Sequence, residues 1–193
     1  MMRVQRNHLW GIVCLLAMPI LAGCGGQWEY RCLHDVQTSM PDLLDQQWSQ
    51  RRDFTPAELL AVQSGGEQTL LIAHYTKQAT TGDVAQFDER VNYSFVIAID
   101  GRPKVGKTYR VTPDTGRLIE SSTFWPAKRP YRGIEGQVTI LSASANKVEA
   151  LVRVTTLTLR QGELQRRLSG IFTFKTTTPD DPSLGEAQIR VTN

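Results

Sequence analysis

The stretch NYSFVIAI, residues 92–99, decides the fold class of this chain. Its large apolar side chains recur at every second position, at Tyr93, Phe95, Ile97 and Ile99. Successive side chains of a strand point to opposite sides, so a period of two places these four on one face. The stretch therefore predicts a β-strand that buries one face in a core.

The same period continues in both directions along the chain from residue 68 to the end. Further sets that share one face are Leu70, Ile72 and His74; Val138 and Ile140; Ala150, Val152 and Val154; Leu168, Gly170, Phe172 and Phe174; and Ala187, Ile189 and Val191. Turn-forming stretches such as PDTG and RQGE separate these sets, and no long helical pattern lies between them. The sequence predicts a mainly β domain, an antiparallel β-sandwich or β-barrel of about eight strands.

A helical pattern precedes this region. Leu43, Leu44 and Trp48 have helical spacing, and Thr55, Pro56 and Glu58 form a capping box that starts a second short helix. We therefore expect one domain over residues 39–193, with short N-terminal helices within its segment 39–64.

The N-terminus has the pattern of a secretory signal. Arg3 and Arg6 precede the apolar stretch LWGIVCLLAMPI, and small residues follow it. The apolar stretch is shorter than the roughly 20 residues that a membrane-spanning helix needs. The pattern predicts an exported protein whose first residues are removed.

Leu21, Ala22, Gly23 and Cys24 resemble the lipobox of bacterial lipoproteins. The resemblance covers residues 1–24 and implies that a diacylglycerol is attached to the Cys24 sulfur and that residues 1–23 are then removed. Residues 24–38 would form a lipidated tether between the membrane and the domain. Gly25, rather than Asp, follows the cysteine, which by the sorting rule of this family implies the outer membrane, on the side facing the periplasm.

Charge and cysteine content narrow the possible partners. Removal of residues 1–23 leaves 20 basic and 19 acidic residues, a net charge of +1 that gives no reason to expect nucleic-acid binding. Cys14 leaves with the signal and Cys24 would carry lipid, so Cys32 has no partner for an internal disulfide. We expect Cys32 to be buried, with pairing to another chain as the alternative.

Residues 101–108, GRPKVGKT, match the sequence pattern of a phosphate-binding P-loop. A P-loop needs a helix directly after it, because the helix N-terminus supplies the amides that hold the phosphates. Here Lys107 and Thr108 lead into a stretch with Val111, Thr112 and then Pro113, which form helices poorly. We interpret the motif as a hairpin loop and expect no nucleotide and no other cofactor.

Residues for catalysis or metal binding are scarce. His34 and His74 are the histidines that remain after the signal is removed, and we expect His74 to be a hydrogen-bonded residue at the inner margin of the sheet. Cys32, His34 and Asp35 could ligate a metal, but their spacing matches no closed zinc site. The sequence predicts a protein that is not an enzyme and holds no metal.

One segment has the composition of a binding surface. The stretch TFWPAKRPYRG combines aromatic side chains with cations in a loop that two prolines stiffen, a mixture that suits sugar rings, glycan carboxylates or lipid phosphates. The alternative is a loop whose aromatic side chains cap one end of the sheet. The candidate residues are Phe124, Trp125, Lys128, Arg129, Tyr131 and Arg132.

These observations predict a membrane-anchored cell-envelope lipoprotein that acts as a non-enzymatic binding or structural module. Its membrane contact would be the lipid on Cys24, and its further partner an envelope protein or glycan. Two alternatives remain open: a β-barrel carrier of a small apolar ligand, with an unfilled interior, and an envelope hydrolase.

Overall fold

The computed structural model describes residues 26–40, 60–79, 89–122, 131–157, 165–186, 189 and 191–192. Within these ranges the elements in chain order are β1 (Gln27–Ser39), β2 (Ala61–Ser64), β3 (Gln68–Ala79), β4 (Glu89–Asp100), β5 (Thr108–Val111), β6 (Gly116–Ser122), β7 (Tyr131–Ala143), β8 (Lys147–Thr156), β9 (Arg167–Thr176), the short helix α1 (Ser183–Glu186) and β10 (Val191–Thr192). No helix in these ranges is long and apolar enough to cross a membrane.

Seven of the described strands close into a barrel in the order β1-β3-β4-β6-β7-β8-β9. Neighbours along this order are antiparallel, and β9 returns to β1 in parallel, with Arg31 opposite Lys175 and Cys32 opposite Thr176. An up-and-down path through an odd number of strands brings the first and last strands together in the same direction, so this closing pair has to be parallel. The predicted mainly β fold is confirmed, and the barrel is the architecture that forms.

The interior of the barrel is packed with the apolar faces that the sequence predicts. Buried residues from every strand of the wall form one cluster, which includes Cys32, Phe95, Ile97, Ile99, Val138, Ile140, Ala150, Val152, Val154, Leu168 and Phe174. Cys32 is buried, as predicted. Tyr93 and Phe172 pack against the cluster but are only partly buried, because they lie toward one end of the barrel.

A second core covers the outer face of β1, β3 and β4. It contains Leu33, Val36, Leu70, Ile72, Val96 and Ala98 from these strands, together with Val62 of β2, Leu184 of α1 and Ile189. Leu70 and Ile72 share a face, as predicted, but that face is the outer one, and Leu71 and Ala73 point into the barrel. A continuous apolar run is buried on both faces, so periodicity alone cannot assign its inner side.

The predicted tether at residues 24–38 is wrong for most of its length. Residues 27–39 form β1, a strand of the barrel wall that pairs with β2, β3 and β9. Its alternation is hidden because the register shifts between Leu33 and Val36, around Asp35 with its positive φ of 56°. The predicted helical segment 39–64 is also wrong at Ala61–Ser64, which is strand β2, and its helical patterns at residues 41–59 lie outside the described residues.

The P-loop-like stretch is a loop, as predicted. It connects β4 to β5, with Gly101 and Gly106 at φ values of 72° and 79°, and the strand β5 follows it rather than a helix. It is not a simple hairpin loop, because β5 pairs with β7 and not with β4.

Candidate binding site at the aromatic end of the barrel

One end of the barrel carries a row of large side chains across four neighbouring strands. Trp28 of β1 lies opposite Tyr75 of β3, Tyr75 opposite Tyr93 of β4, and Tyr93 opposite Glu120 of β6. Directly opposed residues of antiparallel strands have Cβ atoms only about 4.5–5.5 Å apart, so their side chains meet. We call this part of the molecule the aromatic end: Trp28, Tyr30, Tyr75, Tyr93 and Phe172, with the charged residues described below.

The rings of the aromatic end form a continuous ladder. Ring centroids are 5.0 Å apart between Trp28 and Tyr75 and 5.9 Å between Tyr75 and Tyr93. On the other side of Trp28, Tyr30 follows at 6.0 Å and Phe172 of β9 lies 4.9 Å beyond Tyr30. Trp28 is 39% exposed and the other four rings are partly buried. The ladder thus presents accessible apolar ring faces that are held in place by neighbouring rings.

Three charged side chains stand at the Tyr93 end of this ladder. Arg132 Nη2 and Arg166 Nε donate to the two carboxylate oxygens of Glu120, at 3.1 and 3.2 Å. Arg166 also donates to the Tyr93 hydroxyl at 2.8 Å, and its guanidinium lies 4.5 Å above that ring. The exposed fractions of the Glu120, Arg132 and Arg166 side chains are 10, 14 and 36%. The cluster carries a net charge of +1, and Arg166 is its most accessible cation.

The phenols of Tyr30 and Tyr93 remain protonated at neutral pH. Burial raises the pKa of Tyr30 and of Tyr93 above the usual value for tyrosine. For Tyr93 the positive charge of Arg166 opposes this rise in pKa and the negative charge of Glu120 adds to it. The arrangement offers ring faces for stacking, the neutral hydroxyls of Tyr30 and Tyr93 and a guanidinium, which can hold a ligand by stacking and hydrogen bonding.

The predicted aromatic–basic segment joins this end of the barrel. The connection from β6 to β7 starts after Ser122 and ends at Tyr131, which pairs with Ile119 next to the row described above. Most of the predicted binding surface lies outside the described residues: Phe124, Trp125, Lys128, Arg129 and the side chain of Tyr131. Their role in binding stays a prediction. Arg132 is largely buried against Glu120 and does not extend into solvent, because β7 has already begun and turns this side chain inward.

Sequence reasoning missed Trp28, Tyr30, Tyr75, Glu120 and Arg166 as site residues. Tyr93 and Phe172 were expected on inward faces, but as core residues. The available signal was weak: aromatic residues at positions 28 and 30, and again at 75 and 93, near the ends of apolar stretches. Their convergence depends on strand register, which single stretches do not reveal.

Both histidines have hydroxyl groups as hydrogen-bond partners. His74 is buried, with Nδ1 2.9 Å from Ser94 Oγ and Nε2 2.9 Å from Thr76 Oγ1, so the predicted hydrogen-bonded residue is confirmed. It lies on the face of β3 shared with Leu70 and Ile72, and therefore outside the barrel rather than at its inner margin. His34 Nδ1 lies 3.0 Å from Thr69 Oγ1, and burial lowers the pKa of His34.

Of the three residues Cys32, His34 and Asp35, the structure brings the first two together, with Cys32 Sγ 3.7 Å from His34 Nε2, but not the third. Cys32 points into the barrel interior, whereas the Asp35 carboxylate pairs with Arg102. Across the described ranges, no three Cys, His, Asp or Glu side chains are placed to hold a metal ion.

Comparison of the chain with protein-family models, with curated proteins and with solved structures finds no match.

Proposed function

We propose that this chain is a membrane-anchored cell-envelope lipoprotein that acts as a non-enzymatic binding or structural module, and that its aromatic end rests on the membrane surface. The anchor is the lipid on Cys24. The membrane is the outer one, on its periplasmic side, in keeping with Gly25 after the cysteine.

The observation that carries the proposal is the start of β1 at Gln27. Cys24 precedes it by three residues, which span at most about 11 Å when fully extended. Gly26 already packs on the aromatic end, since a Cβ at this position would lie 2.2 Å from the Tyr75 ring. A lipid on Cys24 therefore holds the aromatic end close to the bilayer, without an intervening tether.

The chemistry of the aromatic end suits this position. Trp and Tyr side chains concentrate at membrane–water interfaces, where the ring lies among the headgroups and its polar atom stays hydrated. Trp28, Tyr30, Tyr75 and Tyr93 supply such rings, and Arg166 supplies a cation for lipid phosphates. Contact over this surface adds to the acyl anchor and orients the barrel relative to the membrane.

The packed interior of the barrel favours a binding or structural module over a carrier of a small apolar ligand. A carrier must enclose its ligand, and the buried cluster from Cys32 to Phe174 occupies the inside of the barrel. Partners of a module bind on its outer surfaces instead.

Depth-dependent fluorescence quenching tests the orientation. The mature lipidated protein is reconstituted into vesicles whose acyl chains carry bromine, with Trp48 and Trp125 replaced by Phe so that Trp28 is its remaining tryptophan. We expect strong quenching of Trp28 by bromine near the headgroups. The matched control combines Trp28→Phe with Val105→Trp, because Val105 is 63% exposed and lies at the opposite end of the barrel.

Equal quenching at positions 28 and 105 would contradict the orientation, and quenching of neither would show that the aromatic end stands clear of the bilayer. The anchor is tested separately by Cys24→Ser. This variant should remain an uncleaved precursor without attached fatty acid, and fatty-acid labelling that persists in it would refute the lipoprotein assignment.

A further inference from the structure

The outer face of β5, β7, β8 and β9 carries a second set of polar residues, away from the aromatic end's rings. One cross-strand row runs from Arg110 through Gln137 and Arg153 to Ser169. The next row consists of Glu135, Thr155 and Arg167. Neighbouring strands are about 4.8 Å apart, so Arg110 and Arg153 lie about 10 Å from each other, and Arg167 is diagonal to Arg153.

A groove runs between these side chains, and Gly136 of β7 lies in its lining. Gly136 has a φ of 144°, and a Cβ on it would lie 2.0 Å from the carbonyl oxygen of Arg153. The wall therefore has bare backbone at this point. Two adjoining depressions, of about 560 and 580 Å³, share Arg110, Gly136 and Arg153 in their linings. Volumes of this size are typical of small-ligand sites.

The arginines of the groove are not paired with carboxylates in the described ranges, unlike the other arginines described above. Arg31, Arg102, Arg132 and Arg166 each pair with a carboxylate. Arg110, Arg153 and Arg167 are exposed, and none of them forms a salt bridge with any residue in the described ranges. Glu135 is the acid in the lining. Three cations and one anion give the groove a net charge of +2.

We propose that this groove binds a phosphomonoester. The three guanidinium groups line one groove on three different strands, so an anion placed between them could accept hydrogen bonds from more than one of them. A phosphomonoester carries about −1.5 to −2 charges at pH 7, which matches the charge of the groove, and guanidinium forks donate pairs of hydrogen bonds to its oxygens. The Ser169 hydroxyl lines the same groove.

The phosphate can come from a lipid headgroup or from a soluble sugar phosphate. Arg167 is the first residue of β9, so the groove extends to the rim at the aromatic end, where a headgroup could reach it. Its open side also admits a soluble ligand. The inference does not depend on lipidation of Cys24 or on the orientation proposed above.

Binding is measured on the protein produced from the full chain and purified in a non-ionic detergent. Calorimetric titrations use two probes, glucose 6-phosphate and the short-chain lipid dihexanoyl phosphatidic acid, with glucose as the uncharged control. We expect saturable 1:1 binding of at least one phosphate probe and none of glucose. The probe that binds more tightly identifies the source of the phosphate.

Arg153→Gln should weaken binding by about tenfold or more, since it removes a charge-assisted bidentate contact. Arg167→Gln should weaken it as well. The matched control is Lys175→Gln, which removes the same charge from an exposed position on the outer face of the same strand as Arg167, and should change the affinity less than about twofold because it lies outside the groove. Melting temperatures of the three variants verify folding.

Absence of saturable binding by both phosphate probes would overturn the proposal. So would an equal loss of affinity in Arg153→Gln and Lys175→Gln, because general charge attraction would then explain the binding. Neither result bears on whether the aromatic end rests on a membrane.

Discussion

Tyr30 of β1 stacks on Phe172 of β9, with ring centroids 4.9 Å apart, at the seam where the barrel closes. The two strands pair through Arg31–Lys175 and Cys32–Thr176, and the aromatic contact lies just beyond this short parallel ladder. Tyr30 also meets Phe174 edge-on at 5.7 Å. Ring packing thus continues the closure of the barrel where the described backbone pairing of β1 with β9 ends.

A double-mutant cycle measures this contact. Tyr30→Leu and Phe172→Leu should show a coupling free energy of about 0.5–1.5 kcal/mol in chemical unfolding, the range for stacked aromatic pairs. Ile171 gives the control, because its side chain is exposed on the outer face of the same strand. A cycle between Tyr30→Leu and Ile171→Ala should give a coupling near zero. Equal coupling in the two cycles would contradict ring packing at the seam.

Glu120 is predicted to be the most sensitive residue of the charge cluster. Glu120→Gln leaves Arg132 and Arg166 without their shared carboxylate. We expect a loss of roughly 2–3 kcal/mol in unfolding free energy, somewhat below the 3–5 kcal/mol of a fully buried pair, since Arg166 retains solvent contact. Glu67→Gln, at an exposed turn position, should change stability by less than about 0.5 kcal/mol. Similar values for both variants would argue against a structural role of the cluster.

Gly136→Ala should destabilise the protein by roughly 2–4 kcal/mol, because it combines an unfavourable φ with a close approach to the backbone of Arg153. Gly65→Ala separates these two effects: Gly65 has a φ of 82° but nothing within 4 Å of an added Cβ. Its cost should be about 1–2 kcal/mol, from backbone strain alone. Thermal unfolding of both variants gives the comparison, and an equal cost would show that β7 can move away from β8 at Gly136.

Stability should decrease as the pH falls below about 6.5, with a contribution from His34. Burial lowers the pKa of His34, the positive charge of Arg102 lowers it further, and Asp35 opposes both. The unfolded chain then binds the proton more tightly than the folded one, so acidification favours unfolding between the unfolded and folded pKa values. Unfolding measured from pH 7.5 to 5 should show a smaller pH dependence for His34→Gln. An unchanged slope would contradict the assignment.

The Cys32 thiol should be inert in the folded protein. Burial raises its pKa to about 12, although Arg102 lowers it slightly, so the reactive thiolate is scarce as well as inaccessible. A colorimetric thiol reagent at pH 8 should label Cys32 only after unfolding in urea. Val105→Cys provides an exposed thiol that should react at once under native conditions. Rapid native labelling of Cys32 itself would mean that the barrel interior opens readily.

The sequence predicts which residues face the barrel interior when a strand has one polar face. It does not predict this when both faces of the strand are apolar. Along β8, Ala150, Val152 and Val154 alternate with outward residues, and the structure places all three inside the barrel. Along β3, residues 69–74 are all buried, so their period carries no information about which side faces the interior. The sequence-based tether failed at β1 for a related reason, since its outer face is covered by a second core and its register shifts near Asp35.

The candidate binding site was predictable only in part. The aromatic–basic segment directs attention to the end of the barrel where Arg132 lies, but the function expected of Arg132 changes once Glu120 is seen beside it. Trp28, Tyr75 and Tyr93 are 47 and 18 residues apart along the chain and become neighbours only through the pairing of β1, β3 and β4. No local sequence pattern indicates that the arginines at positions 110, 153 and 167 lie in one groove.

The amino-acid sequence by itself determined that this is a mainly β protein and that the motif at Lys107 is a loop, because alternation and turn residues act over a few neighbouring residues. The tertiary structure decided how the strands close and what they bring together. Parallel pairing of β1 with β9, the ring ladder and the arginine groove all depend on register between distant strands. A shift of one residue in any pairing would move each of these side chains to the other face of the wall.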